Sequence, residues 1–206
     1  RIRHLGVSTH GTLDTIRRFL DAYGEHMEFC QIQLNWLDWK LQNAKAKVDM
    51  LREYNLPIWV MEPVRGGKLV SLEEGYEKIL KEVRPDASVV EWAFRFLQTI
   101  PDVGMTLSGM SNFEQLRQNI ATYETEKPLS EQEQDIISRV RTLYQAQHRI
   151  PCTACRYCVD GCPAGILIPE VFALLNQKRA EEGQPDADYA ALPVKADACL
   201  ECGKCE

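Results

Sequence analysis

The chain has 206 residues, 45% of them hydrophobic and 26% charged, with a formal net charge of -6 and a pI of about 5.4. That composition is ordinary for a soluble globular protein, and its acidic balance argues against nucleic acid or an anionic membrane as the main partner. No apolar run approaches the ~20 residues that a membrane helix needs.

From residue 1 to about 128 the pattern alternates strand and helix. Short β-rich runs stand at Leu5–Ser8, Phe29–Leu34, Ile58–Met61 and Val103–Leu107, and a helical pattern follows each. Ile16, Phe19, Leu20 and Tyr23 fall at i, i+3, i+4 and i+7, which predicts one buried helix face. Leu41, Ala44, Val48 and Leu51 repeat the spacing, as do Val89, Ala93, Phe96 and Leu97. The helix after the last strand opens with Ser111 and Glu114, read as a capping box. Strands joined by helical crossovers pair in parallel, so this part is α/β, as either an open four-stranded sheet or half a barrel. No Gly-x-Gly-x-x-Gly follows the first strand, which gives a doubly wound dinucleotide fold little support.

Near residue 128 the character changes. Ser130 and Glu133 form a second capping box. Ile136, Ile137, Val140, Leu143 and Tyr144 predict the apolar stripe of a long connecting helix over 129–150, ended by Pro151. Pro169 suits the first turn of a helix over 169–181 that buries Val171, Leu174 and Leu175. Residues 182–186 read as a loop.

Seven of the eight cysteines crowd into 152–205. Cys152, Cys155, Cys158 and Cys162, followed by Pro163, have the bacterial ferredoxin spacing, in which the fourth cysteine ligates the other cluster of a pair. Cys199, Cys202 and Cys205 repeat the template up to Glu206. Two [4Fe–4S] clusters are expected: one on Cys162, Cys199, Cys202 and Cys205, the other on Cys152, Cys155 and Cys158. Zinc is the competing reading, but a third closely spaced cysteine in each run is superfluous for its four-ligand sites. Disulfides are the other. Cys30, alone on a strand, reads as a buried apolar thiol. The start at Arg1 and the stop inside a cysteine motif read as a fragment of a longer protein.

Four segments occur in order: Ile2–Ser8, Gln31–Asn35, Met61–Leu69 and Gly109–Asn119. Together with the cysteine tail they resemble the C-terminal half of an aldo/keto reductase, in the branch that carries a C-terminal ferredoxin domain. The resemblance implies strands five to eight of a (β/α)₈ TIM barrel over 1–128, the connecting helix over 129–150 and a small, mainly helical 4Fe–4S ferredoxin domain over 151–206. It implies that Ser8 and Gln31 hydrogen-bond the nicotinamide carboxamide, with Thr9 where an Asn often stands. Met61 takes the place of a stacking Tyr. Arg65 and Gly66 offer a cation and bare backbone near phosphate, and Gly109 and Ser111 open a helix whose N–H groups attract anions. Gln118 and Asn119 match positions near adenine. Gly109 and Gln115 stand where NADP-specific members bring Lys and Arg, which leaves NADP and NAD both open.

Without the resemblance, Ser8 reads as a helix cap, Gln31 as an ordinary polar strand residue and the Gly66–Gly67 pair as a turn. The family's catalytic Tyr, Asp, Lys and His lie on the first four strands, so no catalytic residue is assigned here and no carbonyl reduction is expected from residues 1–206 alone. His10 is expected at the pocket rim or in solvent. The implied activity is nicotinamide-dependent carbonyl/alcohol interconversion accompanied by the clusters, with a small carbonyl or alcohol substrate, a possible one-electron redox partner and a cytoplasmic location. The alternative is a non-catalytic iron–sulfur electron carrier that uses the barrel as a docking scaffold. Half a barrel leaves two strand edges unpaired, which predicts poor solubility or domain swapping.

Overall fold

The computed structural model describes residues 1–147, 149–180 and 183–205. Four strands, β1 (Gly6–Thr9), β2 (Phe29–Gln33), β3 (Ile58–Met61) and β4 (Val103–Thr106), form one sheet in the order β1-β2-β3-β4. Every neighbouring pair is parallel, with a register shift between β3 and β4 at Ile58 and Trp59. A sequentially ordered parallel sheet needs a crossover between each pair of strands. These are α1 (Leu13–Tyr23), then α2 (Asp38–Leu41) with α3 (Ala44–Glu53), then α4 (Glu74–Lys81) with α5 (Val89–Gln98). The arrangement is consistent with half of a TIM barrel, and among the described residues no further strand pairs with the outer edge of β1 or β4.

Strand alternation sorts the core. Cys30, Ile32, Ile58 and Val60 are fully buried, as are Val48, Leu51, Trp92, Ala93 and Leu97 of the helices. The alternate strand residues Phe29, Gln31, Trp59 and Met61 are half-buried. Phe29 stacks on Trp59 at 3.7 Å between centroids. The Phe29 ring also covers Gly6, where a Cβ would come within 2.3 Å of it, so packing here demands glycine.

Several helix expectations shift. On α1 only Ile16 and Leu20 are buried; Tyr23 is 54% exposed and rests on Phe19. Asn43, in the left-handed region at φ 51°, separates α2 from α3, so Leu41 does not share a helix with Leu51. The cap of α6 (Phe113–Tyr123) is Asn112, which accepts from the Gln115 N–H at 2.9 Å. Gln115 then reaches back to the Ser111 N–H at 2.8 Å, so the box sits one residue later than Ser111 and Glu114 suggested. The second box is as expected: Ser130 N–H donates to Glu133 at 2.8 Å and Glu133 N–H to Ser130 at 3.3 Å.

That cap opens α7 (Glu131–Ala146), which ends well short of Pro151. Asn176 takes both the N–H and the carbonyl of Ile150, at 2.8 and 3.0 Å, and a residue before proline is disfavoured in α conformation. Position 148 of the predicted 129–150 helix lies outside the described residues. Ile137 and Val140 are buried on α7 as expected, whereas Leu143 is exposed.

The chain divides into two units, Arg1–Leu143 and Tyr144–Glu206. The second holds α8 (Tyr157–Asp160), α9 (Ile168–Arg179) and α10 (Pro185–Ala191). Val171 and Leu174 are half-buried and Leu175 is exposed, so α9 lacks the buried stripe predicted for it. Pro185 and Asp186, read as loop, open α10 because proline fits a first helical turn. Residues 181, 182 and 206 lie outside the described residues. No helix among the described residues is long and apolar enough to cross a membrane.

Candidate functional site

The C-terminal ends of the parallel strands gather the first set of polar groups. Register places Ser8 beside Gln31, and Gln33 beside Met61. Gln31 Nε2 donates to Ser8 Oγ at 3.4 Å and lies 3.6 Å from Met61 Sδ, so one amide bridges three strands. Ser8 is not a helix cap; Thr12 caps α1 by accepting from Thr15 N–H. Thr9 Oγ1 accepts from the Gly11 N–H at 2.9 Å, and His10 is exposed.

Beyond Met61 a cleft of about 620 Å³ opens between the loops after β3 and β4. Of the expected cofactor residues, Met61, Gly66, Gly109, Gln118 and Asn119 line it, and Ser8, Thr9, Gln31, Arg65 and Ser111 do not. Gln118 donates to Glu114 at 2.9 Å and Asn119 to Ser108 at 3.1 Å. Gly66 and Gly67 stand at φ 60° and 87°, a region that disfavours side chains, so this wall of the cleft is bare backbone.

Arg65 is placed differently from the sequence expectation. Its guanidinium is 1% exposed and pairs through Nε with Asp38 at 2.9 Å. Asp38 also accepts from Gln33 at 2.7 Å and Asn35 at 2.8 Å, while Asn35 donates to the Glu62 carbonyl at 3.0 Å. The network ties the loop after β2 to the loop after β3. A buried carboxylate is tolerated only when paired and hydrogen-bonded, and such a network holds its loop in one arrangement. Arg65 therefore fixes Gly66 and Gly67 against the cleft. Sequence reasoning missed Gln33, Asn35 and Asp38. Their signal was present: polar side chains interleaved with Leu34, Trp36 and Leu37, all fully buried.

The cysteine unit repeats one local geometry. Ala154 and Arg156 in the first run, and Glu201 and Gly203 in the second, all have positive φ, between 50° and 71°. In each run the N–H two residues past the first cysteine points at its sulfur: Ala154 to Cys152 at 3.3 Å and Glu201 to Cys199 at 3.4 Å. Non-glycine residues pay about 1–2 kcal/mol in the left-handed region, so the repeat of this strained path on two separate stretches marks a shared constraint. Cys162, Cys199, Cys202 and Cys205 line one cavity of about 480 Å³. The backbone N–H of Ile166, helped by those of Ala164 and Gly165, holds the Cys162 thiol below its ordinary range. Among the described residues no three His, Cys, Asp or Glu side chains close on a single metal-sized point. The donor set, all sulfur with N–H groups aimed at it, fits thiolate ligation of iron–sulfur clusters.

Cys30 is fully buried, and burial pushes its thiol up to about 11, which suits a packed rather than a reactive cysteine.

Residues 1–142 match the aldo/keto reductase family, and residues 151–206 match a 4Fe-4S dicluster domain. Among solved structures the chain is similar to aldo-keto reductase AKR11C1 from Bacillus halodurans. The holo form is 23% identical with a TM-score of 0.55, covering 68% of this chain and 50% of that one. The apo form is 22% identical at 0.55, covering 68% and 51%. The thermostable aldo-keto reductase Tm1743 in complex with the inhibitor epalrestat is 20% identical at 0.54, covering 68% and 48%. The chain thus spans about half the length of the structures it resembles, and the likeness is one of fold. No curated protein matches it.

Proposed function

The chain belongs to the aldo/keto reductase family through residues 1–142, and from that premise we propose that it is the cofactor-binding half of a nicotinamide-dependent oxidoreductase that also carries two [4Fe–4S] clusters. In this reading the intact protein interconverts small carbonyls and alcohols in the cytoplasm. The observation that carries it is the Gln31 amide, set between Ser8 and Met61 at the strand ends beside the cleft.

Bound nicotinamide supplies the hydride. Ser8, Thr9 and Gln31 would hold its carboxamide by hydrogen bonds, and Met61 would offer it a polarisable thioether. Gly66 and Gly109 let backbone approach the phosphates, Ser111 precedes the α6 N-terminus, and Gln118 and Asn119 serve the adenine end. Arg65 acts from behind, through Asp38, by fixing the glycine loop. Cys162, Cys199, Cys202 and Cys205 hold one cluster, and Cys152, Cys155 and Cys158 contribute three ligands to the other. Either NADP or NAD suits the cleft, since Gly109 and Gln115 bring no cation to it.

A second reading is an electron carrier that docks through the barrel. It draws on the exposure of Cys155, Cys199, Cys202 and Cys205, which would leave the clusters open to a one-electron partner. The two readings separate in one anaerobic titration. NADPH added to the chain should bind saturably by nicotinamide fluorescence, and Gln31→Ala should weaken it about tenfold, the loss of roughly one hydrogen bond to a polar ligand. Absence of binding alongside a reducible cluster signal in EPR would overturn the first reading in favour of the second.

A further inference from the structure

Three arginines are deeply buried in the first unit apart from the cysteine chemistry, and two have carboxylate partners. Arg65 pairs with Asp38, and Arg95 forks onto Glu133 at 2.7 and 2.9 Å. Arg141 on α7 has none. It is 6% exposed, its Nε is enclosed without a hydrogen-bond partner, and no carboxylate pairs with it among the described residues. Burial, unopposed, pushes its pKa down. A fold that pairs its other buried guanidiniums leaves the end of this one bordering open space.

That space is a cavity of about 390 Å³ walled by α3, α5, α7 and the turn at Thr99–Pro101. Arg141 lines it together with Lys45, Arg52 and Asp49, three cations to one carboxylate. Asp49 is already held by Lys45 at 2.6 Å and approached by Arg52 at 3.6 Å, and Arg52 is itself anchored on Asp102 at 2.6 Å. The charge left over is therefore that of Arg141. Trp39, set edge-on against Phe96, and the buried Ile100 and Ile137 supply an apolar wall. A guanidinium beside an aromatic and aliphatic wall recognises an anionic head on an apolar body.

We propose that this cavity binds a small organic oxyanion, a carboxylate or phosphate head on Arg141 with its apolar body against Trp39 and Ile100. The site is distinct from the strand-end cleft and does not depend on how that cleft is read. Charge complementarity selects the head, and the volume admits a molecule the size of a substituted benzene ring.

The test uses the whole chain under anaerobic conditions. All four tryptophans lie within Arg1–Leu143, so tryptophan fluorescence excited at the red edge, where tyrosine does not absorb, follows the melting of that unit. Benzoate and phenyl phosphate are the two probes, with acetate and inorganic phosphate at equal ionic strength as controls without an apolar body. At tenfold its dissociation constant, one of the probes should raise the midpoint by about 3–6 °C. Which probe acts identifies the head group. Arg141→Met should abolish the shift and Arg141→Lys should keep a smaller one. No shift with either probe, or an equal shift in Arg141→Met, would overturn the site. So would a ligand-free Arg141→Met chain melting well below the wild type, because that guanidinium would then already have its partner within the protein.

Discussion

Arg1–Leu143 and Tyr144–Glu206 differ most in what lies beneath their surfaces. The first unit packs a continuous core of strand and helix residues and then adds two buried ionic devices, Arg65 with Asp38 and Arg95 with Glu133. In the second, Ile166 and Pro169 are the only buried residues among those described. A segment of that size with so little core cannot offset the entropy of ordering itself by burial alone, and small domains in that position rely on metal or disulfide. The first unit positions its polar groups by packing, whereas on the cluster reading proposed above the second would be held by its thiolate ligands.

The sharpest way to break that contrast is to remove iron. Oxidising the chain in the presence of a chelator should abolish amide-exchange protection through 152–205 and leave protection within 1–143 unchanged. Binding free energy at such a site is folding free energy, so the loss should be all or none. A second unit that stays protected without iron would show that its fold rests on protein contacts alone.

The next effect lies in the first unit. Burial by itself would raise the Glu133 carboxyl, but the Arg95 fork and the Ser130 N–H outweigh it and hold it down to about 2. A carboxylate depressed on folding stabilises fully above its unfolded pKa, and that contribution fades as pH falls toward the folded value. Glu133→Gln should therefore cost about 3 kcal/mol at pH 7, the cost shrinking between about pH 4.5 and pH 2. Urea denaturation followed by near-UV circular dichroism reads both the size and the slope. The brown colour expected of the second unit should be unaffected. A cost that does not change with pH would mean that Glu133 packs rather than pairs.

The contrast also explains what could be read from sequence. Strands were legible because Ile58, Val60 and their neighbours alternate, and period two leaves little freedom once one face is buried. The Ser130 box was legible because both of its bonds are local. The Ser111 box was misplaced because Ser111 and Asn112 are both good caps, and the choice between them falls to where Gln115 reaches. Arg65 read as a phosphate ligand because its partner, Asp38, lies 27 positions away, a separation that no local pattern reports. The α9 stripe failed for the opposite reason: the spacing was right, but the unit has no core for it to face.

The smallest effect compares the two units at a single backbone angle. Asn43 in the first and Glu201 in the second both sit near φ 50°. Asparagine visits that region at little cost, so Asn43→Gly should change stability by only a few tenths of a kcal/mol. Glutamate does not, and Glu201→Gly should relieve about 1 kcal/mol of strain, less the extra entropy that glycine loses on folding. On the cluster reading, that gain should show as a two- to fivefold slower release of iron to chelator rather than as a shift in the melting of the first unit. Ala154→Gly, at the matching place in the other run, should behave alike. Were Glu201→Gly instead to hasten iron loss, the left-handed turn would be a preference of the glutamate itself. The repeated path of the two cysteine runs would then no longer argue for a common cluster-binding geometry.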